Sequence, residues 1–277
     1  MKKSLVKIVS TLFLIAFSSF SLSAKDASFV QPFHLSGLTD GIIGGTGVAL
    51  SGSAILCDKV FKIKGNDYNK DDFPLNKETL NPFDKPFIKP YSKTLDHVGD
   101  ALLVTALATP ALMFTNSNTD WLTVGVMYAE TIALANGIKE WGKLLIKRPR
   151  PYMYFDSYPE GEVDRGDWHN SMPSGHTTMA FTGAAFTSAV FNEYFPNSPW
   201  RHVVTACSFG LATTVGIVRM CSGNHFATDV ITGALIGTAC GFLVPFFHSQ
   251  TFDNLFNKND KVQVAASPLS FNVQVRF

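Results

Sequence analysis

Three short clusters hold the residues able to do chemistry. In "KLLIKRPRP", Lys143 is followed after six residues by Arg150-Pro151, so a helix-end ammonium and a guanidinium in a proline-stiffened turn can converge on one point. In "PSGH", Pro173 to His176 opens a long apolar segment: Ser174 can cap the first turn, Gly175 admits a ligand close to the backbone, and His176 titrates near neutrality. In "RMCSGNHFATD", Asp229 stands four residues after His225 and both follow Arg219. If His225 opens a helix, Asp229 lies one turn along the same face and can accept from one ring nitrogen, leaving the other as a nucleophile.

Singly, each cluster has a plainer use. The first can be a basic collar at a membrane edge that includes Lys147 and Arg148, the second a helix start with a surface histidine, the third a structural pair. Together they supply three fixed cations, a helix N-terminus suited to an anion and two histidines. That inventory fits phosphoryl transfer, which needs charge neutralised, a nucleophile in line and an acid for the leaving oxygen. Acidic residues form no oxygen cage in the pattern, so neither a metal site nor another cofactor is expected.

The elements that position these clusters are apolar. Hydrophobic residues make up 46% of the 277-residue chain and charged ones only 16%. Apolar segments run over 41–57, 101–114, 121–138, 177–191, 203–218 and 230–247. They predict an all-α bundle of about six helices, membrane-embedded or membrane-associated, in one domain. Polar stretches over 58–93 and 156–170 read as loops. The net charge of +1 gives a nucleic-acid partner no electrostatic support. At the N-terminus, Lys2, Lys3 and Lys7 precede an apolar run ending near Ala24, the order of a signal peptide or an uncleaved anchor. Residues 25–99 then form an N-terminal segment, 100–247 the core and 248–277 an extension whose last residues alternate like a lone strand. The glycine-rich 41–57 stretch is the weakest candidate to span. If it does not cross, or if the leader is removed and the bundle is a soluble periplasmic one, the clusters face the periplasm or exterior, in the cell envelope. The four cysteines have no metal-like spacing, and Cys207 and Cys240 read as buried thiols.

Lys143 to Pro151, Pro173 to His176 and Arg219 to Asp229 resemble the three-part signature of the type 2 phosphatidic acid phosphatase family, which shares its site with vanadium haloperoxidases. The resemblance covers roughly Asp100 to Phe247. It implies a metal-independent phosphatase of monoesters or diphosphates, with a phosphorylated lipid or small phosphate ester as partner. By the same resemblance His225 forms a phosphohistidine and Asp229 orients it. His176 protonates the leaving oxygen and then activates water, while Lys143, Arg150, Arg219, Ser174 and the Gly175 amide hold the phosphate. Val218 stands where the family's third motif usually has a serine. Two other readings share the residues: a haloperoxidase-like enzyme, and a non-catalytic membrane protein whose cations bind anionic headgroups. The two histidines speak against the last, since headgroup binding needs only cations. His169 is placed to line the pocket; His34, His97, His202 and His248 read as solvated or interfacial.

Overall fold

The computed structural model describes residues 29–61, 68–115, 118–256, 262–267 and 270–275. The expected signal segment over 1–24 lies outside them. The helices are α1 (Gly37–Ile55), α2 (Lys93–Leu107), α3 (Trp121–Ile146), α4 (Glu160–Asp164), α5 (Gly175–Tyr194), α6 (Trp200–Cys221), α7 (Ala227–Phe247) and α8 (Gln250–Phe256). The C-terminal extension is no lone strand: β1 (Val262–Ser267) pairs antiparallel with β2 (Ser270–Val275), from Val262 opposite Val275 to Ser267 opposite Ser270.

α5 runs through the centre, and its composition explains how. Small and apolar residues cover most of its circumference, and its buried hydroxyls turn back onto its own backbone. Thr178 Oγ1 donates to Ser174 O at 2.9 Å and Thr182 Oγ1 to Thr178 O at 2.8 Å, so polar side chains sit in the core without unmet hydrogen bonds. α7 lies on it through Gly233, Gly237 and Gly241. A Cβ on Gly237 would stand 2.2 Å from Thr178 O, so only glycine permits this approach. The two helices run parallel, with Ser174 N–H donating to Asp229 O at 3.0 Å where both begin.

α2 is parallel to α5, tied by Asp100 to His176 at one end and by Thr109 to Thr187 at the other. α3 and α6 run the opposite way. Tyr128 of α3 packs on Phe186, their ring centres 4.8 Å apart, and Met127, Phe186, Val190 and Val244 lie in one core cluster. The N-termini of α2, α5 and α7 and the C-termini of α3 and α6 thereby share one end of the bundle, and all three clusters are there. The boundary expected at residue 100 falls inside α2, so the core begins no later than Lys93.

α1, α6 and α7 are long and apolar enough to cross a membrane, α1 together with the single π turn that carries it to Val60. Val48, Ile55, Val203, Ile217, Leu235 and Leu243 stay exposed on them, an apolar exterior that water alone does not favour. The outcome is the all-α, membrane-associated bundle that the apolar segments predict. Cys207 departs from expectation, being exposed rather than buried; Cys240 is buried, and all four cysteines are free.

The glycine-rich stretch is the main correction. It forms a continuous helix instead of a weak one, because α3 approaches it where bulk is missing: a Cβ on Gly137 would lie 2.5 Å from Leu50 Cβ. α1 starts beside residues 32–34, which bond to 248–250, and ends beside Trp141, whose Nε1–H donates to Leu50 O at 3.1 Å. For a membrane-embedded bundle, the exterior-facing expectation rested on this segment not crossing. A crossing α1 puts residues 29–36 and the three clusters on opposite sides of the bilayer. In sealed vesicles of a variant lacking the native cysteines, an impermeant maleimide should label Val30→Cys or Ser157→Cys, but not both. Labelling of both from one side would show that α1 does not cross.

Candidate active site

Each side chain at the shared end is placed by a helix terminus. Lys143 lies in the last turn of α3, its Nζ 3.3 Å from where a Cβ on Gly175 would sit, so the ammonium comes close to the first residue of α5. Lys147 then ends α3 in the left-handed region at φ 45°, turning the chain into the Arg148 to Pro151 corner. Arg150 is buried there. Its Nε donates to Asp167 O at 2.9 Å, its Nη2 to Asp167 Oδ2 at 2.6 Å, and its Nη1 to Asn224 Oδ1 at 3.3 Å and His225 Nε2 at 3.4 Å. Arg219, in the last turn of α6, donates from Nη1 to Asp96 Oδ1 at 2.5 Å. Its buried Nε has no hydrogen-bond acceptor in the structure, which leaves a donor for a ligand.

His225 precedes α7. Its Nδ1–H donates to Ser171 O at 2.7 Å, so the proton sits on Nδ1 and the Nε2 lone pair faces Arg150. Burial first, then Arg150, Arg219, Lys143 and His176, hold this imidazole well below its ordinary pKa. It is a neutral base among fixed positive charges. Asp167, pushed up by burial, is held below the usual carboxylate range by Arg150 and Lys143. His176, in the first turn of α5, shares a 2.7 Å hydrogen bond with Asp100 through Nε2.

Two expected contacts are replaced. Asp229 Oδ2 lies 3.8 Å from His225 Nδ1, and the Ser171 carbonyl takes the ring proton in its stead. The i,i+4 relation holds inside a helix, whereas His225 stands before the helix begins. Asp229 accepts from Ser171 Oγ at 2.5 Å, Phe226 N at 2.8 Å and Arg148 Nη1 at 2.6 Å, and so fixes the segment that holds the ring. Ser174 occupies the N-cap position of α5, but its hydroxyl pairs with Thr177 Oγ1 at 2.9 Å and caps nothing. By helix geometry the first N–H groups of α5 lack intrahelical acceptors and suit an anion.

Arg148 is no basic collar. Its guanidinium joins Asp84 at 2.7 Å to Asp229 and stacks 4.0 Å from the Phe226 ring centre. Removing one partner of such a buried pair costs about 3–5 kcal/mol, because the other charge is left unpaired; this makes Arg148 a strut. The sequence reading missed Asp84, Asp96, Asp100, Asp167, Ser171 and Asn224. No spacing announces them, since each meets its partner across the fold. Val218 packs a methyl against Gly99 beside Arg219, so no hydroxyl is supplied there. His169 is buried, its ring centre 4.8 Å from that of Trp168. Over this end the two polar loops meet in an aromatic cluster, with Tyr68 and Tyr158 hydroxyls 2.6 Å apart and Phe73 on Trp168 at 5.4 Å.

Three cations, the open N–H groups of a helix start and a neutral histidine gather at this end of the bundle, an arrangement suited to an anion. A family model described as "PAP2 superfamily" matches residues 124–253, which include all three clusters. The PAP2 match extends to curated proteins. Over 159 residues the chain is 31% identical to lipid phosphate phosphatase 1 of Arabidopsis thaliana, covering 49% of this chain and 46% of that protein. It is 30% identical over 150 residues to lipid A 1-phosphatase of Porphyromonas gingivalis, covering 54% of this chain and 29% of that one. The chain thus spans less than half the length of these two relatives. A solved transmembrane PAP2 type phosphatidylglycerolphosphate phosphatase from Bacillus subtilis is 23% identical, with a TM-score of 0.41 over 78% of this chain and 96% of that one.

Proposed function

We propose that the chain is a phosphatase of lipid-borne phosphate monoesters or diphosphates, working without a metal through a phosphohistidine on His225. The observation that carries this is the neutral His225 ring, whose unprotonated Nε2 faces Arg150 amid positive charge. A phosphate dianion bridging Arg150, Arg219, Lys143 and the start of α5 has its oxygens neutralised and its phosphorus presented to that lone pair. Nε2 attacks, the bond to the leaving oxygen breaks, and His176 gives that oxygen a proton. The ring becomes cationic as the bond forms, and the Ser171 carbonyl and the Asp229 carboxylate beyond it stabilise the charge. His176, now neutral, takes a proton from water, whose oxygen attacks phosphorus. Phosphate leaves and His225 is neutral again.

The site's carboxylates support the metal-free reading. Asp96 and Asp167 already bond to arginines and Asp100 to His176, so none is left to form an oxygen cage around a hard cation. The lipid part rests on the names of the relatives and on the apolar exterior of α6 and α7. Asp84 and Asp96 belong to the catalytic unit, which therefore begins upstream of residue 100.

The test is phosphate release from phosphatidate and from diacylglycerol pyrophosphate in mixed micelles. Release should continue in EDTA and be inhibited by orthovanadate, a mimic of the five-coordinate state that the three cations hold. Activity lost in EDTA and restored by magnesium would overturn the reading.

A further inference from the structure

At the other end of the bundle, three side chains from three elements converge: Asp40 near the start of α1, Glu130 in α3, and His248, which caps α7. His248 Nε2 is 2.8 Å from Asp40 Oδ1 and 3.3 Å from Glu130 Oε2, and one donor atom from each residue fits within 4.8 Å of the others. The cluster is enclosed. His248 is 1% exposed and Glu130 7%, and Glu130 Oε2 has no hydrogen-bond partner. The expectation of a solvated or interfacial His248 fails here, because the chain folds back beside residues 32–34 and buries the ring.

The second ring nitrogen carries the argument. His248 Nδ1 lies 2.8 Å from Val244 O, a carbonyl that can only accept, so Nδ1 bears a proton and Nε2 is the atom turned toward two carboxylate oxygens. A backbone carbonyl on the far nitrogen is the usual outer partner of a metal-binding histidine. Two carboxylates held on one ring nitrogen in a poorly solvated place repel each other, so a cation belongs there. A second ring proton can serve only one oxygen and leaves a net negative charge, with Glu130 Oε2 unbonded. A divalent ion serves all three donors and cancels both carboxylates. Bonds of about 2.0–2.1 Å in a tetrahedron set donor atoms roughly 3.3 Å apart; the two pairs that involve His248 are at 2.8 and 3.3 Å, and the third pair is within 4.8 Å. We propose that Asp40, Glu130 and His248 bind a divalent first-row transition ion, with zinc the best fit, that cross-links α1, α3 and α7. The site is remote from the phosphate chemistry and independent of it.

The full chain, purified without a polyhistidine tag, should contain about one such ion per molecule by elemental analysis, as one three-donor site requires. His225→Ala should contain as much, whereas His248→Gln and Glu130→Gln should lose it. Cobalt exchanged into the wild type should give the visible bands of a tetrahedral N,O site, absent from both variants. Asp40→Asn, which changes the most accessible donor, is the third variant should the others elute as aggregates. A wild type that is metal-free and takes up no more zinc or cobalt than His248→Gln would overturn the proposal and leave a proton-held ion pair.

Discussion

Replacing His225 with alanine should abolish turnover while leaving the anion site intact. The ring turns an unprotonated nitrogen toward Arg150, and its described neighbours are otherwise engaged: His176 bonds to Asp100, Asp96 and Asp167 to arginines, and Asp229 to Ser171, Phe226 and Arg148. Loss of a nucleophile that works as part of a unit costs on the order of 10⁴-fold or more in kcat. The three cations remain, so inorganic phosphate should still bind, and removal of the buried imidazole should if anything relieve crowding. The measurement pairs phosphate release with trapping of labelled enzyme in alkaline detergent, where the wild type gives a phosphoenzyme that acid then discharges and the variant gives none. A labile phosphoenzyme persisting in His225→Ala would move the nucleophile elsewhere.

His176→Ala should divide substrates by their leaving groups. A lipid alkoxide needs a proton as it departs, and a positioned acid is worth about 10²–10⁴-fold; an activated aryl phosphate needs far less help. Burial, with Arg219 and Arg150 and against the pull of Asp100, pushes the His176 imidazole down to about 4. In the empty site the ring is therefore neutral above that pH, and the proton it donates must arrive with the substrate. A phosphate monoester carries that proton below its second pKa of about 6, so wild-type kcat/KM on a lipid monoester should fall as pH rises through that value. In the variant, hydrolysis of nitrophenyl phosphate should lose this descending limb. Equal losses on alkyl and aryl esters, with the limb retained, would remove His176 from the acid role.

The clusters were legible because their chemistry is written in residue type at helix ends: a proline-stiffened basic turn, a Pro-Ser-Gly-His start, a histidine just before an acidic first turn. The bundle was legible because six apolar stretches have no other way to hide. What escaped the sequence depends on contacts between distant positions. Asp84, in a loop whose composition looks merely solvated, holds Arg148, and Asp96, in the first turn of α2, holds Arg219. The α1 stretch was undervalued since glycine disfavours an isolated helix, whereas here its missing side chains admit α3. The Asp229 contact was misjudged by a boundary of two residues: helical spacing does not extend to His225, which α7 begins after.

The strut from Asp84 through Arg148 to Asp229 has a consequence for anyone redesigning this protein. Asp84 belongs to the stretch that roofs the pocket, yet it is fully buried and tied by three donors, Asn81, Arg148 and Thr228. Headgroup choice and ring reactivity are therefore not separable modules. A loop graft meant to change what the roof admits would have to carry the aspartate in register. Otherwise it would slacken the Ser171 carbonyl that keeps the proton on Nδ1 of His225, and selectivity would change only together with rate.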